Sequence, residues 1–432
     1  MSLLRKHLSA PGLIKAVCQC FCKISDPREF AKKTSISLKD HLMSGLAVFG
    51  LKCPSLLHYD RERADGPTGQ NLRDLYLVEA PPSDTYLRER LDQVDPSSLR
   101  PAFKKIFSLF QRGKGLENFE YMDGHILIAA DGTGLFASSK VSCPHCCIKN
   151  HKNGSTSYYH QMLGVCVVHP DKRNVIPLCP EIILNRDGCT KNDCERNACK
   201  RFLENFRREH PHLKAIILED GLGSTAPNIR MIEEYSLRYI LGAKPGDHQY
   251  LFEQMESNKD TVCHEILTDD GQYHQFRFLN EVGINKSHQD LKVNAIEYRH
   301  TNSKGKERTF SWVTNIKISK TNALEIVRAG RARWKIENET FNTLKNLGYN
   351  LEHNYGHGKK YLSTIFCMLM MLAFLIDQVQ ECCCGLFSRC KKRVATYSNF
   401  WSEMRALFRL VALRNWETFY SIIVGDRFLN SS

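Results

Sequence analysis

The chain has 432 residues, with 60 Lys and Arg against 47 Asp and Glu, a formal charge of +13 at pH 7. A content of 42% hydrophobic, 25% charged and 10% aromatic residues excludes a disordered or low-complexity chain and allows two or three domains around a large core. The basic surplus suits a polyanionic partner, most commonly nucleic acid.

The 18 cysteines cluster as Cys18, Cys20, Cys22 and as Cys382, Cys383, Cys384, or sit inside apolar runs. That is not the spacing of a disulfide framework. The opening residues, MSLLRKHLSAPG, lack the apolar core of a signal peptide, so reduced thiols in a cytosol are expected.

Residues 1–118 read as a helical region with DNA contacts expected of it; SLKDHLMSGLAVFGL (37–51) has a capping signal and a helical apolar stripe. From 119 to 245 the pattern changes. HILIAAD (125–131), YYHQMLGVCVVHP (158–170) and NVIPLCPEIIL (174–184) predict three strands. TKNDCERNACKRFLENFRREH (190–210), with Thr190 and Asp193 in capping-box spacing, predicts a helix. KAIILED (214–220), a short helix and RYILGAK (238–244) complete the order β-β-β-α-β-α-β.

Residues 246–318 alternate polar and apolar, which predicts an antiparallel β-rich insertion. The helical pattern returns over 319–385 and continues through 386–432. Within it, YLSTIFCMLMMLAFLI (361–376) is about four residues short of a usual membrane span and runs into Asp377 and Gln378. It reads as a core helix, with no membrane segment. The fold class is thus α/β: a mixed sheet flanked by helices, with a β-rich insertion and helical terminal regions.

Two apolar runs end alike, ILIAADGTG and AIILEDGLGS, each driving into an aspartate, Asp131 or Asp220, followed by glycine. Strand ends are where α/β sheets bind ligands; the plainer alternative is an Asp-Gly turn. A third carboxylate comes from RARWKIENETFNTLKNLG (331–348), read as an amphipathic helix. At about 100° per residue Glu337 and Glu339 face opposite ways. Glu337 shares its side with Arg333, Trp334, Phe341 and Leu344, and Glu339 shares the other with Lys335, Asn342, Thr343 and Asn346. Arg333 and Glu337, at i and i+4, are either a buried ion pair or part of a site. Three carboxylates on such elements suit Mg2+, with Mn2+ as a substitute, and two-metal phosphoryl transfer on nucleic acid.

The strand order, the two aspartates and the later glutamate resemble the ribonuclease-H-like core of DDE transposases. More closely, the chain resembles insertion-sequence transposases whose core is interrupted by a β-rich insertion before the final Glu. The stretches that carry this likeness are DGTG, YYHQML, TKNDCERNACKR, EDGLGS, RYILGAKPGDH and RWKIENETFNTLK.

The resemblance implies a catalytic and metal-binding triad of Asp131, Asp220 and Glu337, with Glu339 as the alternative. It implies a DNA transposase that cleaves element ends and joins 3′ hydroxyls to target DNA. Its partners would be double-stranded DNA with terminal inverted repeats and a second copy of the chain when DNA is bound. Of the family's Tyr-Arg-Glu-Lys signature, Arg333 and Glu337 keep the four-residue step, Gly330 stands at the tyrosine position, and Lys345 lies eight residues after the Glu. A nuclease without strand transfer, or a non-catalytic DNA-binding protein, are the alternative readings.

Arg333, Lys345, Lys244, His248 and Trp312 are the candidate DNA contacts. Lys244 and His248 follow a strand end but equally suit a Pro-Gly turn. Trp312 reads first as core, and second as a platform for an extruded base. One of Tyr158, Tyr159 and His160 is expected to face the site. Cys143 and Cys146 form a CxxC, with His145 and His151 nearby. A structural Zn2+ held with two distant cysteines such as Cys189 and Cys194 is possible by spacing, although reduced loop thiols are favoured.

Overall fold

The computed structural model describes residues 7–28, 36–64, 66–184, 194–269, 271–394 and 396–425. Its strands are β1 (Glu120–Tyr121), β2 (His125–Ser138), β3 (Cys147–Asn150), β4 (Thr156–Val168), β5 (Ile176–Pro177), β6 (Glu181–Ile183), β7 (Ala215–Glu219), β8 (Arg238–Gly242), β9 (Val262–Leu267), β10 (Tyr273–Gly283), β11 (Lys292–Thr301) and β12 (Glu307–Thr314). They join in one sheet of order β3-β4-β2-β7-β8-β12-β11-β10-β9, with β1 on β2 and β5 and β6 on β4. β4 is antiparallel to β2, whereas β7 and β8 run parallel to it. All five residues of β7, AIILE, are buried, the pattern of a parallel strand covered on both faces. The helices Glu195–Glu209 and Ala226–Glu234 lie between β6 and β8 in the chain.

The β-rich insertion does not form a sheet of its own. β12 pairs antiparallel with β8, Trp312 opposite Gly242, so residues of the insertion extend the central sheet. Gly242 serves this junction: a Cβ there would press on the backbone of Gly221 at 3.1 Å and Asp220 at 3.2 Å.

The helix Leu38–Gly50, capped by Ser37, whose hydroxyl accepts from the Asp40 N–H at 3.1 Å, packs on the helix Leu362–Cys383. The latter is long and apolar enough to cross a membrane by composition, yet 89% of its most apolar window is buried inside the protein. It continues through Asp377 and Gln378 to Cys383. Both are buried and satisfied. Asp377 pairs with the buried Lys52 and accepts from the Tyr349 hydroxyl at 2.5 Å, and Gln378 accepts from the Val175 N–H at 3.1 Å. Buried polar groups with partners are compatible with a continuing core helix. Asp92, from the N-terminal helices, accepts from the backbone N–H groups of Lys359, Lys360, Tyr361 and Leu362 and so holds the start of this helix.

Two expectations change. β2 does not end at Asp131 but continues seven residues further, to Ser138, because β4 keeps pairing with it beyond Asp131. Residues 331–348 are not one α-helix: the helix Ala323–Ala332 is followed by a π-helical turn, Ile336–Phe341, and the short helix Asn342–Asn346. The predicted helix start at Thr190 and Asp193 lies outside the described residues.

Candidate active site

Asp131 lies opposite Gly164 of β4, two residues beyond Ala129, where the pairing of β2 with β7 ends. One carboxylate oxygen accepts from the Gly132 N–H at 2.9 Å, the other from Nη1 of Arg333 at 2.7 Å. Nη2 of the same guanidinium donates to Glu337 at 2.6 Å. Arg333 therefore spans Asp131 and Glu337, two carboxylates from distant segments. Such charge-assisted, forked contacts are the strong kind. The π turn that carries Glu337 approaches β4 closely because Gly164 has no side chain; a Cβ there would lie 2.5 Å from the Phe341 ring.

Asp220 directly follows β7. Its carbonyl accepts from the Gly223 N–H at 3.1 Å and its carboxylate from the Leu222 N–H at 2.9 Å. The Asp-Gly turn is thus real at Asp220 and absent at Asp131. The two aspartates line one pocket, together with Glu195, Arg196, Glu219 and Asn228. Glu195 opens its helix, accepts from Gln161 at 2.8 Å, and lies over Gly132, where any Cβ would collide with its carboxylate. Glu219 is buried and accepts from Asn228 at 2.9 Å and the Cys199 thiol at 2.7 Å.

Burial raises the pKa of Asp131, Glu195 and Glu219, three of the acids that line the pocket. Burial pushes Asp131 up to about 6 from 3.8, against the lowering pull of Arg333, with Glu337 adding to the rise. Burial and then the Asp220 charge raise Glu195, and burial raises Glu219.

The sign for Asp131 follows from linkage. Its folded value lies above its unfolded one, so its contribution is fully present below about pH 4 and is lost as pH rises through about 6. A shift of this size corresponds to at most about 3 kcal/mol. In chelator at pH 7, Asp131→Asn is accordingly expected to stabilise the chain by about 1–3 kcal/mol, with little gain left near pH 4. Denaturant unfolding at both pH values checks this; equal effects at the two would remove ionisation of Asp131 as the cause.

The other candidates fall as follows. Glu339 points elsewhere and pairs with Arg173 at 3.3 Å. Lys345 pairs with Glu352 at 2.7 Å, and Lys244 is exposed. His248 is half-buried and meets the Ser224 hydroxyl at 2.7 Å, while that hydroxyl reaches Gly221 O at 2.9 Å. It thus braces the turn after Asp220, and burial lowers its pKa.

Trp312 is only 7% exposed and is not available for stacking on a base. Its ring occupies the space left by Gly330, where a Cβ would lie 2.6 Å from it. The same contact explains why a bulky residue does not stand at position 330. Trp334, expected on the apolar side with Glu337, is instead 56% exposed.

His160 is buried, but it turns toward Cys143 and Cys146 rather than the carboxylates. Tyr158 and Tyr159 pair with Ile148 and Cys147 of β3. Cys194 is exposed and Cys189 lies outside the described residues. Sequence reasoning missed Glu195 and Gln161, although TKNDCERNACKR already marked a helix start with an acid in its first turn.

Fold and site together define a mixed α/β protein with a carboxylate-lined pocket between the middle of β2 and the end of β7. No protein-family model matches the chain, and no curated protein matches it. Among solved structures it is similar to a piggyBac transposase seen by cryo-EM in a synaptic complex with hairpin DNA. The identity is 12% and the TM-score 0.40, over 99% of this chain and 81% of that one.

Proposed function

We infer that the chain is a DDE-type DNA transposase that cleaves DNA and joins the freed 3′ hydroxyl to a second duplex. One observation carries this reading: Asp131 and Asp220 share a pocket, and Arg333 ties Glu337 to Asp131. The order β4-β2-β7-β8, with β4 antiparallel and β7 and β8 parallel to β2, supports a ribonuclease-H-like core. The charge of +13 supports a polyanionic substrate.

The donor set fits a hard divalent ion. Asp131, Asp220 and Glu337 would hold Mg2+ or Mn2+ through carboxylate oxygen; Glu195 and Glu219 line the pocket beside the two aspartates, and Glu337 is joined to Asp131 through Arg333. When bound, a metal pair supplies activation of the attacking and leaving oxygens of a phosphodiester. The chain's own groups position these acids: Arg333 orients Asp131 and Glu337, Gln161 orients Glu195, and the turn braced by His248 fixes Asp220. In cleavage, water attacks phosphorus and the bond to the 3′ oxygen breaks, leaving a 3′ hydroxyl and a 5′ phosphate. In joining, that hydroxyl attacks a target phosphodiester and displaces a target 3′ hydroxyl.

The test is incubation of the chain and Mg2+ with a plasmid bearing its gene and flanking DNA, plus a second target plasmid, followed by sequencing of junctions. Covalent junctions between the plasmids are expected. Cleavage without junctions leaves a nuclease, and no metal-dependent cleavage leaves a DNA-binding protein.

A further inference from the structure

Cys143 and Cys146 lie between β2 and β3, His160 lies in β4, and His357 lies in the loop before the helix Leu362–Cys383. Their ligating atoms all come within 4.8 Å of one another. The Sγ atoms are 3.8 Å apart, His160 Nε2 is 3.4 Å and 3.6 Å from the two sulfurs, and His357 Nε2 is 3.1 Å from Cys146 Sγ. A disulfide needs about 2.0 Å between sulfurs, so these thiols are unbridged. With metal bonds of about 2.3 Å to sulfur and 2.0–2.1 Å to nitrogen, a tetrahedral zinc site has edges of about 3.8 Å between sulfurs and about 3.6 Å from sulfur to nitrogen. The edges joining Cys143, Cys146 and His160 are close to these, and His357 Nε2 lies nearer Cys146 Sγ, at 3.1 Å.

We propose that Cys143, Cys146, His160 and His357 bind a structural zinc ion, separate from the carboxylate pocket. Two thiolates offset the ion's charge and two neutral imidazoles complete a Cys2His2 set, so the buried site has no net charge. The donors are soft and borderline, unlike the hard oxygens around Asp131.

The imidazoles have no competing role: His160 is 1% and His357 9% exposed, and Nδ1 of each has no hydrogen-bond partner among the described residues. His357 is presented by Tyr-Gly-His-Gly, in which Gly356 and Gly358 both have positive φ, +145° and +70°, a conformation glycine adopts without strain. Binding releases the two thiol protons.

Such an ion would tie together three segments next to the carboxylate site. Cys143 and Cys146 follow the strand carrying Asp131, His160 neighbours Gln161, which holds Glu195, and His357 lies in the loop beyond the segment carrying Glu337. Its role is structural, and no reacting atom touches it.

The experiment is metal analysis of the full chain purified without chelator, followed by Co2+ replacement and visible spectroscopy. Zinc at one ion per chain, and cobalt bands of a tetrahedral site with sulfur charge transfer, are expected. Cys146→Ser and His357→Ala should each lose the zinc, whereas Cys194→Ser, an exposed thiol outside the cluster, should keep it. Asp131→Asn should also keep it, which separates this proposal from the carboxylate site. Wild-type protein without stoichiometric zinc, or with cobalt bound but showing no sulfur charge transfer, would overturn the proposal even if the ligand variants fail to fold.

Discussion

Asp131→Asn and Asp220→Asn are each expected to lower Mg2+-dependent DNA cleavage by about 10³-fold or more, with DNA affinity unchanged or raised. A bound metal ion contributes several kcal/mol of transition-state stabilisation, and each 1.36 kcal/mol is tenfold in rate. An amide oxygen is a poorer ligand than a carboxylate for a hard ion. Removing a negative charge also lessens repulsion of phosphate.

Asp220→Asn keeps its local hydrogen bond, whereas Asp131→Asn keeps one of two, because its single amide oxygen replaces two carboxylate oxygens that accept from the Gly132 N–H and from Arg333. In Asp220→Asn the amide oxygen can still accept from the Leu222 N–H, as the Asp220 carboxylate does at 2.9 Å. In Asp131→Asn the amide oxygen can still accept from Gly132 or Arg333, and the chain gains the stability that burial of the Asp131 charge costs it. Cleavage assays beside gel-shift titrations read the two effects separately. A variant that cleaves at the wild-type rate in Mg2+ removes that aspartate from the reaction.

Arg333→Ala is expected to destabilise the chain by about 2–3 kcal/mol in chelator, less than the 3–5 of a fully buried pair because Glu337 is 42% exposed. The guanidinium is the cation between Asp131 and Glu337, and both its arms are committed to them, at 2.7 and 2.6 Å. A free phosphate contact, the expectation from sequence, is not what the geometry provides. The salt dependence of DNA binding should therefore change by less than one phosphate contact.

Mg2+ supplies the discriminating arm. If the two carboxylates are metal ligands, added Mg2+ should return much of the lost stability in Arg333→Ala, since a ligand that binds only the folded state stabilises it. Thermal melts of wild type and variant, in chelator and in Mg2+, read this directly. An unchanged melt in chelator together with a shallower salt slope would make Arg333 a phosphate contact instead.

Local pattern determined much of this molecule. Apolar runs of strand length, followed by helical stripes, identify β2, β4, β7 and β8 in order, because burial on both faces leaves a continuous apolar signature that neighbours along the chain reveal. An acid at the end of such a run is visible for the same reason, so Asp131 and Asp220 could be picked out together, and the i, i+4 step linked Arg333 with Glu337.

What only the tertiary structure decided were contacts whose partners lie far apart in sequence. β2 passes through Asp131 because β4 pairs with it there, which no Asp-Gly dipeptide discloses. Trp312 is buried because Gly330 accepts its ring, and the polar Asp377 continues a core helix because Lys52, 325 residues away, neutralises it. The CxxC at Cys143 and Cys146 is legible, but its partners are His160, 14 residues from Cys146, and His357, 211 residues from it, rather than further cysteines. A strand histidine and a loop histidine share no periodicity, and only the approach of β4 and the loop before Leu362 brings their nitrogens to the sulfurs.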